Sequence, residues 1–310
     1  MEFNRGIITL AQGKQRYIDM AVNLAKSIRL NSPGLPIAVI TDRPEAEMKK
    51  WFDYVVPVNP RHGLGLVQKV YLYDYSPFSE TIFIDSDCLV VNDFSFLWDL
   101  FQGNDVSAIG EKLIDGNWAG MSVTETCDRL KLPYIVQLNG GVYYFKKNDT
   151  AAAVFSNAQK LIEAYDTIGI ARLRGQVNEE PLMSLSMAQF GLSPINDNGK
   201  GMRTPVGQKG VFRMDILKGY CSFLKHNIKV EPVIMHFGGG YPEAFHYRRE
   251  VLKMKIYLAT RIPKFIISAF VNGFANSFYA MYVFAYRCLK FIMGKSKFKM
   301  SPLLPMFKFE

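Results

Sequence analysis

The stretch IFIDSDCLVVN, residues 82–92, is an apolar strand pattern interrupted by a pair of acids. The apolar run stops at Asp85 and Asp87, which are separated by one residue, and then resumes. In an extended segment alternate side chains point the same way, so both carboxylates can face one ligand while Ser86 turns aside. Hard divalent cations such as Mg²⁺ or Mn²⁺ prefer oxygen ligands and keep positions open for substrate phosphates. The stretch therefore predicts a strand that ends at a cation, with a nucleoside diphosphate as its partner.

An isolated Asp-x-Asp is more often two acids that end a strand at the surface. Here the pair follows a full apolar strand, and this position favours the cation site.

The first hundred residues alternate β-rich runs with helical patterns, as βαβ units around a parallel sheet do. The predicted strands are residues 7–10, 37–41 and 54–56, and the predicted helices include residues 17–30 and 68–75. Ligands of such sheets gather at the carboxyl ends of the strands, where Thr9, Asp42 and Asp85 fall.

The pattern after residue 104 is mixed. We expect strands at 106–109 and 142–145, helices at 151–165 and 180–190, and a long polar loop at 196–210. Together these elements predict an α/β fold with a mixed sheet flanked by helices.

The net charge of +9 is confined to one end of the chain. Residues 1–250 carry 27 basic and 27 acidic residues, whereas residues 251–310 carry ten basic residues against Glu310 alone. A neutral first part offers no continuous basic groove, so we expect no nucleic-acid partner.

The four cysteines lie far apart, and no Cys-x-x-Cys spacing occurs. Nothing at the start of the sequence resembles a cleavable signal peptide. These features predict buried thiols in a reduced, cytoplasmic protein, without a zinc site or a catalytic cysteine.

Two later segments extend the acidic motif. LNGGVYYF, residues 138–145, joins Asn139 and two glycines to a strand, so that backbone can approach a ligand closely. MHFGGG, residues 235–240, places His236 after an apolar run and before a glycine turn. Taken singly, Asn139 could only shape a turn, His236 could be structural, and Lys69 could be a solvated charge.

In this order the segments resemble GT-A fold nucleotide-sugar glycosyltransferases, and they are similar to the glycogenin and bacterial lipopolysaccharide transferases of glycosyltransferase family 8. The resemblance runs from about Gly6 to Gly240. It implies a Rossmann-like mixed sheet, a UDP-sugar donor, Mn²⁺ or Mg²⁺, and a glycan or glycolipid acceptor. It also implies a catalytic domain at 1–250, with a nucleotide-binding half at 1–103 and a sugar and acceptor half at 104–250.

The resemblance assigns roles to individual residues. It implies Asp85, Asp87 and His236 as metal ligands. The implied donor contacts are Thr9, Leu10, Tyr17, Lys69, Ser86, Asn139, Gly140, Gly141 and Gly239. Catalytic roles fall on Asn139 and Glu179.

One segment departs from the family pattern. An Asp-Gln pair usually faces the sugar, and here Glu179 stands for the carboxylate and Glu180 for the amide. The family implies retention of configuration, in which a diphosphate oxygen takes the acceptor's proton. If the reaction inverts instead, Glu179 or Asp115 would be the base.

Two other classes of function share part of this pattern. A haloacid-dehalogenase-like phosphatase also uses an apolar strand followed by Asp-x-Asp, but on its first strand, whereas here three strands come earlier. An inactive GT-A scaffold or lectin would not need the intact acids and His236.

The C-terminal extension, residues 251–310, has no charge between residues 265 and 286. Polar residues such as Asn272 and Asn276 would be costly at the centre of a bilayer. We expect peripheral membrane contact through 263–299, with Tyr279, Tyr282 and Tyr286 at headgroup level and the following lysines on anionic lipid. The alternative is a hairpin packed on the catalytic domain or in a homodimer.

Overall fold

The computed structural model of the chain describes residues 5–293, with side chains described through residue 281 and at Phe284. Residue contacts divide this part into two compact units. The first unit holds the described residues up to Ala25, together with Pro33–Ser86 and Ser95–Asn198. The second holds Lys26–Ser32, Asp87–Phe94 and the described residues from Gly199 onward. The predicted division at residue 250 remains a prediction.

The strands are β1 (Arg5–Ala11), β2 (Ile37–Thr41), β3 (Tyr54–Pro57), β4 (Glu80–Ile84), β5 (Cys88–Val90), β6 (Val106–Leu113), β7 (Asn117–Trp118), β8 (Met121–Ser122), β9 (Ile135–Lys146), β10 (Met202–Arg203), β11 (Gln208–Asp215), β12 (Tyr220–Lys225), β13 (Ile228–Val230) and β14 (Ile234–His236). The α-helices are α1 (Gln15–Asn31), α2 (Met48–Trp51), α3 (Leu72–Tyr75), α4 (Phe96–Phe101), α5 (Val123–Leu130), α6 (Asp149–Lys160), α7 (Tyr165–Ile168), α8 (Glu179–Gln189), α9 (Phe245–Thr260) and α10 (Lys264–Met293). Short 3-10 turns cover Pro60–His62, Gly65–Tyr71 and Tyr241–Glu243.

A six-stranded mixed sheet in the order β3-β2-β1-β4-β9-β6 forms the centre of the first unit. β3, β2, β1 and β4 run parallel, and β9 pairs antiparallel with both β4 and β6. β2 is buried throughout, as are nearly all of β1 and β4. Burial on both faces explains why these strands read as continuous apolar runs rather than as alternating patterns. The predicted mixed sheet flanked by helices is confirmed.

The second unit contains two three-stranded sheets, β10-β14-β5 and β11-β12-β13. β14 runs antiparallel to β5, and His236 lies opposite Cys88 in the register. The expected loop at 196–210 is only partly a loop, because β10 lies within it and β11 begins at Gln208. Short polar strands carry a weak periodic signal, and pairing with the apolar β14 recruits β10 into a sheet.

Helices α9 and α10 end the described chain. Among residues 5–293, no helix combines the length and the apolar character that crossing a membrane requires. The expectation that Tyr279 meets lipid headgroups is wrong, because Tyr279 is only 4% exposed and its ring stacks on Phe245 at 4.4 Å between centroids. The side chains of residues 282 and 286, and residues 294–299 of the predicted membrane-contacting segment, lie outside the described part.

Candidate functional site

A buried lysine lies at the centre of the polar cluster in the first unit. Lys69 is 4% exposed, and its Nζ lies 2.7 Å from Asp85 Oδ2 and 2.9 Å from Glu179 Oε1. It also donates to the backbone oxygen of Gly140 at 3.1 Å. One ammonium group therefore ties together the end of β4, the glycine segment of β9 and the start of α8. Sequence reasoning expected Lys69 to contact the donor and did not foresee these partners.

The glycine segment projects from β9 because β9 has more residues than β6 between two pairs that the strands share. From Gly110 to Ala108 on β6, the paired residues on β9 run from Leu138 to Tyr143, so Asn139–Gly141 forms a bulge. Gly110 allows β6 and β9 to lie close together at the bulge, since a Cβ there would lie 2.1 Å from the backbone oxygen of Gln137.

Side chains hold the bulge in place. Asn139 Oδ1 accepts a hydrogen bond from the backbone N–H of Gly141 at 3.0 Å. Glu180 Oε1 accepts from the N–H of Gly140 at 2.6 Å. A Cβ at Gly140 would lie 2.5 Å from Glu179 Oε1, so this position has no room for a side chain. The three predicted donor contacts at 139–141 thus share a hydrogen-bonded turn against the first turn of α8.

Helix α8 begins with two acids for local reasons. The side chain of Asn178 caps it by accepting from the N–H of Glu180 at 3.3 Å. Glu179 and Glu180 in the first turn suit the positive end of the helix dipole, and Pro181 needs no N–H there. The rest of the helix is buried on nearly all sides. A buried, well-anchored helix therefore presents both carboxylates to Lys69 and Gly140.

The two partners of the Lys69–Glu179 pair titrate differently. Burial alone would lower the pKa of Lys69, but Asp85 and Glu179 outweigh it and hold that pKa well above its usual range. Burial raises the pKa of Glu179 to about 7, although Lys69 opposes the change, and Glu180 adds to it. Lys69 keeps its proton because it faces two carboxylates, whereas Glu179 has one cation and two acidic neighbours. Near neutral pH Glu179 can hold or release a proton while Lys69 stays charged.

Four buried side-chain atoms of this unit have no hydrogen-bond partner among the described residues: Thr9 Oγ1, Trp98 Nε1, Glu179 Oε2 and the hydroxyl of Tyr143. Glu179 Oε2 and the hydroxyl of Tyr143 bear on the cluster around Lys69, because Glu179 and Asp85 act on the pKa of Tyr143. Burial raises the pKa of Tyr143, so its hydroxyl remains a donor. Buried polar atoms normally have a hydrogen-bond partner, so Glu179 Oε2 and the Tyr143 hydroxyl are each suited to bind a hydroxyl group or a water molecule.

Asp85 is engaged on both of its oxygens. Oδ2 meets Lys69, and Oδ1 accepts from the backbone N–H of Ser86 at 3.0 Å. The N–H of Asp85 donates to the backbone oxygen of Gly141 at 3.0 Å, which extends the β4–β9 pairing by one residue. Ser86 is itself buried.

The predicted nucleoside contacts lie on β1 and the first turn of α1. Thr9 is fully buried, and its hydroxyl has no partner among the described residues. Leu10 is 9% exposed. Tyr17 is half-buried, and the Arg16 guanidinium lies over its ring at 4.7 Å and donates to its hydroxyl at 2.8 Å.

A groove of about 490 Å³ opens at the carboxyl ends of β2 and β3, and sequence reasoning missed it. Its lining includes Gln12, Asp42, Val58, Pro60 and Leu64 but none of Thr9, Leu10 and Tyr17. The signal that could have found it is the series of valines and prolines in residues 55–60, which leaves apolar surface at the end of β3.

The second unit holds the other acid of the motif. Asp87 Oδ1 lies 3.0 Å from His236 Nε2, and Cys88 joins them in a group whose ligand atoms all lie within 4.8 Å of one another. The β5–β14 pairing creates this group, since it sets His236 opposite Cys88, and the N–H of Phe237 donates to the oxygen of Asp87 at 3.0 Å. Sequence reasoning gave Cys88 no metal role.

The glycine turn after His236 has a steric reason. A Cβ at Gly238 would lie 3.2 Å from His236 Nε2, so glycine keeps this side of the imidazole open. Gly239 follows with a φ of +75°, in the left-handed region that favours glycine.

The pair Asp87 and His236 fits a divalent cation. Two ligand atoms about 2.1 Å from one cation and at a right angle to each other lie about 3 Å apart, and the observed separation is 3.0 Å. A carboxylate with an imidazole suits Mn²⁺ better than Mg²⁺, which favours oxygen ligands. These two residues would hold the ion, with Cys88 as a softer neighbour.

No protein-family model matches the sequence, and no curated protein matches it. Solved structures do match the fold. The galactosyltransferase LgtC, solved with donor and acceptor sugar analogues, is 14% identical over 76% of this chain and 87% of its own, with a TM-score of 0.50. The bifunctional glycosyltransferase WbbM is 11% identical over 82% of this chain and 50% of its own, with a TM-score of 0.52. The chain has a GT-A glycosyltransferase fold like that of family 8, which confirms the resemblance and the predicted fold class.

Proposed function

We propose that this GT-A protein is a glycosyltransferase that moves a hexose from a UDP-sugar to a polysaccharide or lipid-linked glycan, with Mn²⁺ or Mg²⁺ and with retention of configuration. The observation that carries the proposal is the Asp87–His236 pair, whose 3.0 Å separation suits two ligands of one cation. Asp85 is the third proposed ligand, on the strength of its spacing from Asp87 in the sequence. A divalent cation bound there would neutralise the charge of the departing diphosphate.

The first-unit cluster is the proposed sugar-binding side. The bulge Asn139–Gly141 brings backbone groups to the donor, and Glu179 offers a buried carboxylate oxygen without a partner among the described residues. We assign Glu179 to the side of the sugar where positive charge develops as the anomeric bond to the diphosphate breaks. The acceptor oxygen then bonds to the anomeric carbon, and its proton passes to a diphosphate oxygen.

The nucleoside is proposed to lie at the carboxyl ends of β1 and β2, against Thr9, Leu10 and Tyr17. The buried hydroxyl of Thr9 supports this, because a polar group of the bound UDP-sugar would supply its missing hydrogen bond. A lipid-linked acceptor fits a cytoplasmic enzyme in peripheral contact with a membrane. The GT-A fold leaves the phosphatase alternative without support.

The test is release of UDP from a panel of UDP-sugars, with Mn²⁺, with Mg²⁺ and with a chelator. Wild type should release UDP from one donor only when metal is present. Asp87→Asn should lower that release by about a hundredfold or more, since loss of a ligand exceeds the loss caused by removing an outer partner. Asp128→Asn, an exposed acid on α5, is the matched control and should match wild type.

UDP binding in Mn²⁺ separates the remaining outcomes. If wild type binds UDP but turns over no donor or acceptor, the protein is a binding scaffold. If wild type and Asp87→Asn both fail to bind UDP in Mn²⁺, the metal and nucleotide assignments are refuted.

A further inference from the structure

Helix α10 has one face that packs on its own unit and one that does not. Ile267, Ser268, Val271 and Tyr279 are each less than 5% exposed. By contrast, several large apolar side chains on the same helix are between 46% and 71% exposed. These define the phenylalanine face: Phe265, Ile266, Phe270, Phe274, Phe278, Met281 and Phe284.

Buried polar contacts fix which side of α10 faces outward. Asp215, at the end of β11, accepts from Ser268 Oγ at 2.9 Å and from Asn272 Nδ2 at 3.1 Å. Arg249 on α9 donates to Asn276 Oδ1 at 3.1 Å. These bonds occur at three successive turns, so rotating the helix about its axis would break them all. The phenylalanine face is therefore a fixed outer surface.

A charge-balanced core anchors these contacts. Lys253, which is fully buried, lies 3.1 Å from Asp215 and 2.9 Å from Glu250, and Arg249 lies 2.7 Å from Glu250. Burial alone would raise the pKa of Asp215, but Lys253, Ser268 and Asn272 hold it below its usual value. Detaching α10 would remove the hydrogen bonds that Ser268, Asn272 and Asn276 make to the buried charges of Asp215 and Arg249, which is costly, so α10 stays attached to its unit instead of becoming surrounded by lipid.

The phenylalanine face is long and continuous. From Phe265 to Phe284 it extends roughly 28 Å along the helix. The rings of Phe270 and Phe274 lie parallel, with centroids 6.2 Å apart, so neighbouring turns form one surface. Contiguous apolar patches of this kind on a soluble unit mark interaction sites.

Charge decides between possible partners. No acidic residue occurs between Val251 and Phe309, whereas this segment carries nine basic residues besides the buried, paired Lys253. A second copy would bring like charges together, and that opposes a symmetric dimer through this face. An anionic lipid surface complements the charge and accepts phenylalanine without matching its shape.

We propose that the phenylalanine face of α10 docks on the surface of an anionic lipid bilayer while the opposite face stays packed on its own unit. The rings enter the acyl boundary, and basic residues of the same C-terminal segment meet the headgroups. This mode differs from the one expected from sequence, since exposed phenylalanines make the contact and Tyr279 does not. It does not depend on the proposed transferase activity.

The experiment is sedimentation of the full chain with vesicles of equal parts phosphatidylglycerol and phosphatidylcholine, without any sugar nucleotide. Phe270→Ser with Phe274→Ser should lower the partition coefficient about tenfold for each ring removed. Both side chains are more than two-thirds exposed, so the variant should fold, and its urea unfolding midpoint verifies this. Phe190→Ser, a phenylalanine 43% exposed in the first unit, is the matched control and should sediment like wild type.

The lysines are unchanged in the double variant, so purely electrostatic attachment predicts no loss and would overturn the proposal. Failure of wild type to sediment would overturn it too.

Sedimentation velocity without vesicles tests the second copy: a dimer that the double variant abolishes would show that another chain covers the face. Wild-type binding should be stronger to these vesicles than to phosphatidylcholine alone, and equal binding would refute the anionic requirement. Because vesicle binding is measured without a donor, failure here leaves the transferase test unaffected.

Discussion

Replacing Lys69 by methionine tests how the candidate site is held together. The change keeps most of the side-chain volume but removes the cation that pairs with Glu179 in the first-unit cluster. Removing one partner of a buried ion pair leaves an uncompensated charge and costs about 3–5 kcal/mol. For Lys69→Met the size of the loss should depend on pH, because Glu179 can take up a proton instead.

The pH dependence follows from the pKa of Glu179, which burial raises from 4.5 to about 7. Because the folded pKa lies above the unfolded one, the contribution of this carboxyl to stability is complete below pH 4.5 and is lost as pH rises to 7 in the wild type. Without Lys69 the folded pKa rises further, so the loss continues above pH 7. Each pH unit above 7 then adds about 1.4 kcal/mol to the penalty of Lys69→Met. The penalty at pH 9 should therefore exceed the penalty at pH 5 by about 2.7 kcal/mol.

Urea unfolding at pH 5 and pH 9 measures this difference. Lys69→Met should lose more stability at pH 9 than at pH 5 relative to wild type. With Glu179→Gln as the background, Lys69→Met should lose a more nearly equal amount at the two pH values, since residue 179 no longer titrates. Lys50→Met, an exposed lysine on α2, controls for the loss of a positive charge. A Lys69→Met penalty that is equal at pH 5 and pH 9 would refute the assigned coupling between Lys69 and Glu179.

Two other substitutions test packing, one in each unit. Gly140→Ala should lower the free energy of unfolding by about 1–3 kcal/mol, because its Cβ would displace Glu179 from Lys69; Gly240→Ala, where a Cβ meets nothing within 4 Å, should be nearly neutral in the same urea titration. Lys253→Met should cost about 3–5 kcal/mol, because Asp215 and Glu250 lose their shared cation. Lys255→Met, exposed on the same helix, should change little, and equal effects at the two lysines would argue against the buried network.

The sequence predicted the strands that dominate the first unit because both faces of each are buried. A continuous apolar run such as residues 82–84 can be read without knowing its neighbours. The bulge at Asn139–Gly141 could not be read in the same way. It exists because β6 supplies fewer residues than β9 between their shared pairs, and that mismatch belongs to neither strand alone.

Side-chain pairing limited the prediction of the site. The sequence singled out Lys69, Asp85 and Glu179, but Lys69 and Glu179 are distant in the chain, and nothing local indicates that they meet. The orientation of α10 was unpredictable for a related reason. Aromatic residues occur around the whole helix, and only the contacts of Asp215 and Arg249 decide that Tyr279 turns inward and Phe270 outward.

The charge balance of the first-unit cluster relates its stability to the proposed chemistry. Asp85 and Glu179 share one buried cation, and Glu180 lies beside them at Gly140, so an ionised Glu179 gives the cluster more negative than positive charge. That excess contributes, after burial, to the raised pKa of Glu179. In the proposed reaction the anomeric carbon becomes more positive as its bond to the diphosphate breaks, and fixed negative groups nearby then interact more favourably with the transition state than with the bound donor. The negative charge that lowers the stability of Lys69→Met above pH 7 is therefore suited to favour bond cleavage in the wild type.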